Sequence, residues 1–227
     1  MDKIRIPNIE HLLPAARRGN ARPVTRETIA YHEAGHVLVS HYYHREVLHA
    51  ALDPHGDQGA GNHVEFQPNR ALELLVRRAG SPLQLWPEAL RQTQITARIL
   101  FGGPAAQALQ QRIPFEQVDG GDDHHHAAYS LWYLEDVRRK HAALAEVDLQ
   151  HRKPGALESL IGDARRLVAR PENGAYLTRI ADRLLTATRI EREEIRDLLE
   201  GMRRYDPMAE IHRQLTQRRL DADRDSR

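Results

Sequence analysis

His32-Glu33-Ala34-Gly35-His36 is the segment of this chain whose residue types and spacing most directly imply chemistry. On a helix, His32 and His36 stand one turn apart and project from one face. Two imidazoles so placed can share one tetrahedral ion, most often zinc. Glu33 sits one step round the helix, within reach of a water that such an ion acidifies towards neutral pH. A carboxylate there can take the water's proton, which is the equipment for hydrolysing a peptide bond.

Two imidazoles need a third protein ligand. Gly at 39 and His at 42 would make a metzincin, but the chain has Val39 and Tyr42. A thermolysin-like arrangement needs a Glu on a following helix, and Glu46 falls instead at the start of an expected hairpin. The remaining source is Asp119-Gly-Gly-Asp-Asp-His-His-His126. A carboxylate in the first turn of a helix can reach sideways. Asp123 is the preferred ligand, because Ala127, Leu131 and Leu134 follow it at helical intervals. Asp122 and His124 compete with it, one residue of register deciding. Asp119 or Asp122 could equally serve as a helix cap.

The elements that must position these residues follow from pattern. Residues 1–24, with Pro7, Pro14, Gly19 and Pro23, read as an N-terminal arm. Thr25 is a plausible N-cap for a helix reaching about His44, with Ile29, Ala30, Ala34, Val37 and Leu38 on its apolar face. Residues 47–67 alternate around a Pro-Gly turn and read as a small antiparallel hairpin. A helix is expected from about Pro87 to Phe101, stopping at Gly102-Gly103-Pro104, with a short helix then running to Gln111. The Asp-rich loop should feed a long helix ending before Pro154. Helices are expected at 154–170, 175–187 and 191–202, and residues 206–227 form a charged tail. The fold class is therefore mainly α, a helical domain over 25–205 with a small hairpin after the first helix.

Composition narrows the rest. The 227 residues carry 33 Lys+Arg against 32 Asp+Glu, a formal net charge of +1, so no acidic partner is implied. Cys is absent, which excludes disulfides and leaves His, Asp and Glu as metal ligands. The start lacks the apolar core of a secretory signal, and no apolar run is long enough to span a bilayer. A cytoplasmic location is the expectation. The 14 His are unusual; His41, His44, His49, His55 and His63 are read as surface or hairpin residues rather than a second site. Trp86, Trp132, Tyr129 and Tyr133 are read as core or subunit contacts. Arg138-Arg139-Lys140 and Arg203-Arg204 lack interleaved aromatics, so nucleic acid is not an expected partner.

Taken together, several segments resemble the peptidase domain of FtsH-type zinc metalloproteases, in the same order, from about Thr25 to Glu200. AYHEAGHVLVSHY resembles that family's zinc helix, and LHAALDPHGDQGAGNHVEF the hairpin after it. ARILFGGPAAQAL is similar to its Gly-Gly, Ala-Ala helix. DGGDDHHHAAYSL stands where the family supplies its third, Asp ligand, and LLTATRIEREEIRDLLEG resembles its closing helices. The resemblance implies a zinc endopeptidase fold, zinc-ligand status for His32 and His36, and the catalytic base role for Glu33. A gap-free comparison puts His124 at the Asp ligand's place; a one-residue shift puts Asp123 there. The family's membrane helices and ATPase module have no counterpart, and no G-x-x-x-x-G-K-S/T occurs in the chain. An ATP-independent zinc endopeptidase acting on unfolded or flexible polypeptide follows, with a separate ATPase partner and a homo-oligomer as further expectations. The hairpin is expected to serve as a strand edge for substrate or as a lid over the zinc helix. The alternative is a non-proteolytic binding or regulatory protein that retains the fold and the zinc.

Overall fold

The computed structural model describes residues 24–53, 62–67, 81–118, 120–140, 156–209 and 216. The expected N-terminal arm and nearly all of the charged tail lie outside these residues, as do Asp119 and the turn at 54–61.

The chain is mainly helical, with a small antiparallel sheet. α1 (Arg26–Tyr42) begins where Thr25 predicts. The Thr25 hydroxyl accepts the Thr28 N–H at 3.1 Å, satisfying one of the donors that the first helical turn leaves open. Ala30, Ala34, Val37, Leu38 and Val39 are completely buried. Apolar side chains thus surround most of this helix, the mark of a central rather than a surface element. Its neighbours are α2 (Pro82–Gln111), α4 (Ala156–Val168), α5 (Pro171–Ala187) and two strands, β1 (Val47–Ala51) and β2 (His63–Phe66). α3 (Gly121–Lys140) and α4 pack against α2, and α6 (Arg192–Leu198) closes the order.

β1 and β2 pair antiparallel as the hairpin pattern predicts, with an irregularity between Val47 and His49. The sheet has a third strand, β3 (Arg189–Glu191), on the other side of β1, giving the order β2-β1-β3. Ala50 pairs with Val64 on one side and Ile190 on the other, and both Ala50 and Ile190 are fully buried. The other face of the same ladder carries His49, His63, Glu65 and Glu191.

Several expected boundaries need correction: α2 begins at Pro82 rather than about Pro87, and α5 at Pro171 rather than 175. Gly102-Gly103-Pro104 does not stop a helix: α2 runs unbroken to Gln111, where Arg112 in the left-handed region (φ 55°) ends it. The two glycines are there for proximity. A Cβ on Gly102 would lie 2.7 Å from Val39 Cγ2 and 2.8 Å from Gly35 O, so α1 and α2 touch backbone to backbone at this point. The final helix ends at Leu198 rather than 202, and the three residues before it belong to the sheet.

Candidate metal centre

The first turn of α3 brings its acidic residue to α1. His32 Nε2 lies 2.8 Å and His36 Nε2 3.2 Å from the same oxygen of Asp123, Oδ2. The three ligand-type atoms all fall within 4.8 Å of one another, the span one ion can bridge. This group combines residues 32, 36 and 123 from two helices that α2 separates in sequence.

Each imidazole is aimed by the partner of its other nitrogen. His36 Nδ1 faces the backbone carbonyl of Ile99 at 2.8 Å, and His32 Nδ1 faces Gln107 Oε1 at 3.1 Å. An N–H donated at Nδ1 leaves the Nε2 lone pair pointing into the group, as metal-binding histidines require. Both partners come from α2, so this helix sets the tautomers as well as packing the core. Gly103 completes the seat. A Cβ at that position would collide with His36 Nε2 and lie 2.6 Å from His32 Nε2, in the space between the two rings.

The electrostatics show what the group lacks. Burial alone would lower the pKa of His36, but the charge and hydrogen bond of Asp123 outweigh it and raise it from 6.5 to about 9. Burial acts on Asp123 in the opposite direction, yet the charges of His36 and His32 and their hydrogen bonds hold its carboxyl below the usual range. Asp123 also gains from its place at the start of α3, where the helix dipole favours an anion. Glu33 is buried, and this desolvation raises its pKa; the positive charges of His36 and His32 pull it down again, that of Asp123 pushes it up, and His63 pulls it down. The seat therefore pairs a carboxylate that stays ionised with a second carboxyl that holds a proton more readily than usual.

The donor set of two nitrogens and one carboxylate oxygen, with nothing softer, suits zinc or a similar borderline cation. The oriented Nε2 atoms and the side-chain-free position at Gly103 fit such an ion. Among the competitors for the third ligand, Asp122 is exposed. His124 is buried, its ring 5.6 Å from that of Phe101 and 5.4 Å from that of Phe115. It packs; it does not face the pair. Glu46 pairs with Arg192 at 3.4 Å and Arg196 at 3.3 Å, well away from this group.

Gln107 and Ile99 escaped the sequence reading. The spacing of Gln107 four residues after Gly103 was available, but a backbone carbonyl such as that of Ile99 leaves no mark on residue identity. Trp86 is buried against Leu134, as the core reading of the aromatics expects, whereas Tyr133 is 51% exposed. The basic run at 138–140 is occupied locally, Arg138 by Glu135 and Lys140 by Asp136.

None of the protein-family models searched matches this chain, and a search of curated proteins finds no match. Among the described residues no helix is long and apolar enough to cross a membrane.

Proposed function

We propose that this protein is a zinc-dependent endopeptidase, related to the FtsH-type peptidases. The observation that carries this reading is the convergence of His32, His36 and Asp123 on one point, with Glu33 on the same helix one residue from the first ligand. His32, His36 and Asp123 would hold the ion. When bound, zinc supplies Lewis acidity, acidifying water and polarising the scissile carbonyl.

The residues do the rest. Glu33, with its proton affinity raised by burial, accepts a proton from the attacking water and delivers it to the leaving amine. Ile99 and Gln107 keep the two imidazoles in the tautomer that presents Nε2. Asp123 stays anionic and offsets the ion's charge. β2 is an outer strand of the sheet and packs against α1, so an extended polypeptide can add to it main chain to main chain with little sequence preference. An unfolded or flexible polypeptide is accordingly the proposed substrate. A separate ATPase could deliver folded proteins to a homo-oligomer of this chain.

The test is Glu33→Gln. The variant should bind zinc as the wild type does and lose cleavage of an unfolded substrate such as casein by at least about 100-fold, the usual worth of general-base catalysis. Casein cleavage that survives either this change or a chelator would remove the metal-hydrolase mechanism, and a zinc-loaded wild type that leaves casein uncut would favour a binding protein.

A further inference from the structure

The face of the sheet that looks away from Ala50 and Ile190 holds a second convergence of imidazoles. His49, in the central strand, and His63, at the start of β2, bring their Nε2 atoms to 2.8 Å. Their rings meet edge to face, with centroids 4.9 Å apart at 88°. The other nitrogen of His49, Nδ1, lies 3.2 Å from Glu65 Oε2. Glu65 is the residue directly opposite His49 in the ladder, while His63 is the diagonal neighbour on the same face.

That order, carboxylate then imidazole with its second nitrogen aimed at another potential ligand, is how proteins prepare a histidine to bind a cation. The carboxylate accepts a hydrogen bond from the Nδ1–H, fixes the ring and makes Nε2 a better donor of its lone pair. His49 is only 7% exposed and is held on both sides, by Glu65 in β2 and by its ladder position opposite Glu191 in β3. His63 is exposed. One half of the pair is therefore enclosed and the other lies at the surface. Two nitrogens bound at about 2.0–2.1 Å to a tetrahedral ion stand roughly 3.3 Å apart. A small rotation of the His63 ring opens the present separation to that value.

We propose that His49 and His63 form a second seat for a borderline divalent cation of the Zn2+, Ni2+ or Cu2+ class, with Glu65 as the outer partner of His49 and water completing the coordination. None of these residues belongs to the His32, His36, Asp123 group, so the seat can be tested separately from the proposed peptidase, although the charge of His63 reaches Glu33. An ion there ties β2 to β1 through side chains as well as through the ladder.

The probe is zinc alone, titrated against the full chain in competition with a chromophoric chelator. Wild type should take up two equivalents and His63→Ala one. In the His32→Ala/His36→Ala background one equivalent should remain. Adding His63→Ala to that background should abolish it, and adding Glu65→Gln should weaken it about 10-fold, as outer partners do. His63 is exposed, so its replacement leaves the core intact, and the comparison of wild type with His63→Ala holds even where the double-histidine background does not fold. Equal uptake by wild type and His63→Ala would overturn the proposal. So would a wild type that binds a single equivalent and loses it with His32 and His36.

Discussion

Asp123 decides the protonation of the centre. It raises the His36 pKa to about 9 while its own carboxyl is held low, so without a cation the group stores a proton on His36 across neutral pH. A divalent ion must expel that proton to reach Nε2. Zinc affinity at this centre, measured in the His63→Ala background, should therefore rise by up to about tenfold per pH unit between pH 6.5 and 9 and level off above. A flat profile would show that His36 is not the protonated partner. Stability of the metal-free protein has the opposite sign. A raised histidine pKa contributes stability in full below 6.5 and loses it as pH rises through about 9. The depressed Asp123 contributes above the ordinary carboxylate range and loses it on acidification. Melting temperatures of the metal-free chain should fall from pH 6.5 to 9, and Asp123→Asn should flatten that slope.

At the scale of elements, α2 carries more of the site than its own sequence announces. It orients His36 through Ile99 and His32 through Gln107, and Gly103 keeps the space between the two rings clear. Gly35 and Gly102 let α1 and α2 approach backbone to backbone. Two substitutions separate these roles. Gly103→Ala puts its methyl group against His36 Nε2 and His32 Nε2, so it should cost zinc affinity at least about tenfold and, by displacing His36 from Asp123, also lower the melting temperature of the metal-free protein. Gly35→Ala puts its methyl group against the Gly102 carbonyl and 2.7 Å from Ala106 Cβ. That overpacking should destabilise the fold by about 1–3 kcal/mol in a denaturant titration. Comparable losses of zinc from both variants at full stability would contradict the division. The same glycines explain a gap in the sequence reading. Gly-Gly-Pro is a helix-stop signal when only local propensity is considered. Here tertiary contact with α1 selects the glycines for their missing Cβ, and the helix continues through them. The α1 motif and the hairpin were readable because their signals are local: a cap at Thr25, an i, i+4 histidine pair, alternation around a turn. Asp123 was readable only to within a residue, since Asp122, Asp123 and His124 differ by about 100° of helix rotation each and nothing in sequence fixes where α2 lies. β3 was not readable at all. Arg189-Ile190-Glu191 is too short to show alternation, and its strand character comes from β1 lying beside it.

For the whole molecule, β3 and the candidate metal centre contribute to stability through separate contacts. The chain leaves α5 through Thr188, in the left-handed region at φ 59°, and its carbonyl accepts the Leu52 N–H at 2.7 Å. This joins the end of the hairpin to the C-terminal helices and places Ile190 fully inside the core, opposite Ala50. Ile190→Ala removes that plug and should cost about 2–5 kcal/mol. It leaves His32, His36 and Asp123 on α1 and α3, both clear of the strand. Zinc should therefore rescue the variant. An ion that binds only the native state stabilises it by about 2.7 kcal/mol at a free concentration of 100 times Kd. For a chain of this size that is a rise of roughly 5–11 °C in melting temperature, reversed by chelation. The expected result, measured in the His63→Ala background so that only the first seat is read, is an upward shift of similar size with and without Ile190→Ala, because that seat rests on the α1–α2–α3 packing and not on β3. A shift that vanishes with Ile190→Ala would place the metal seat under the control of the sheet, and one that vanishes without it would mean that the three side chains hold no ion.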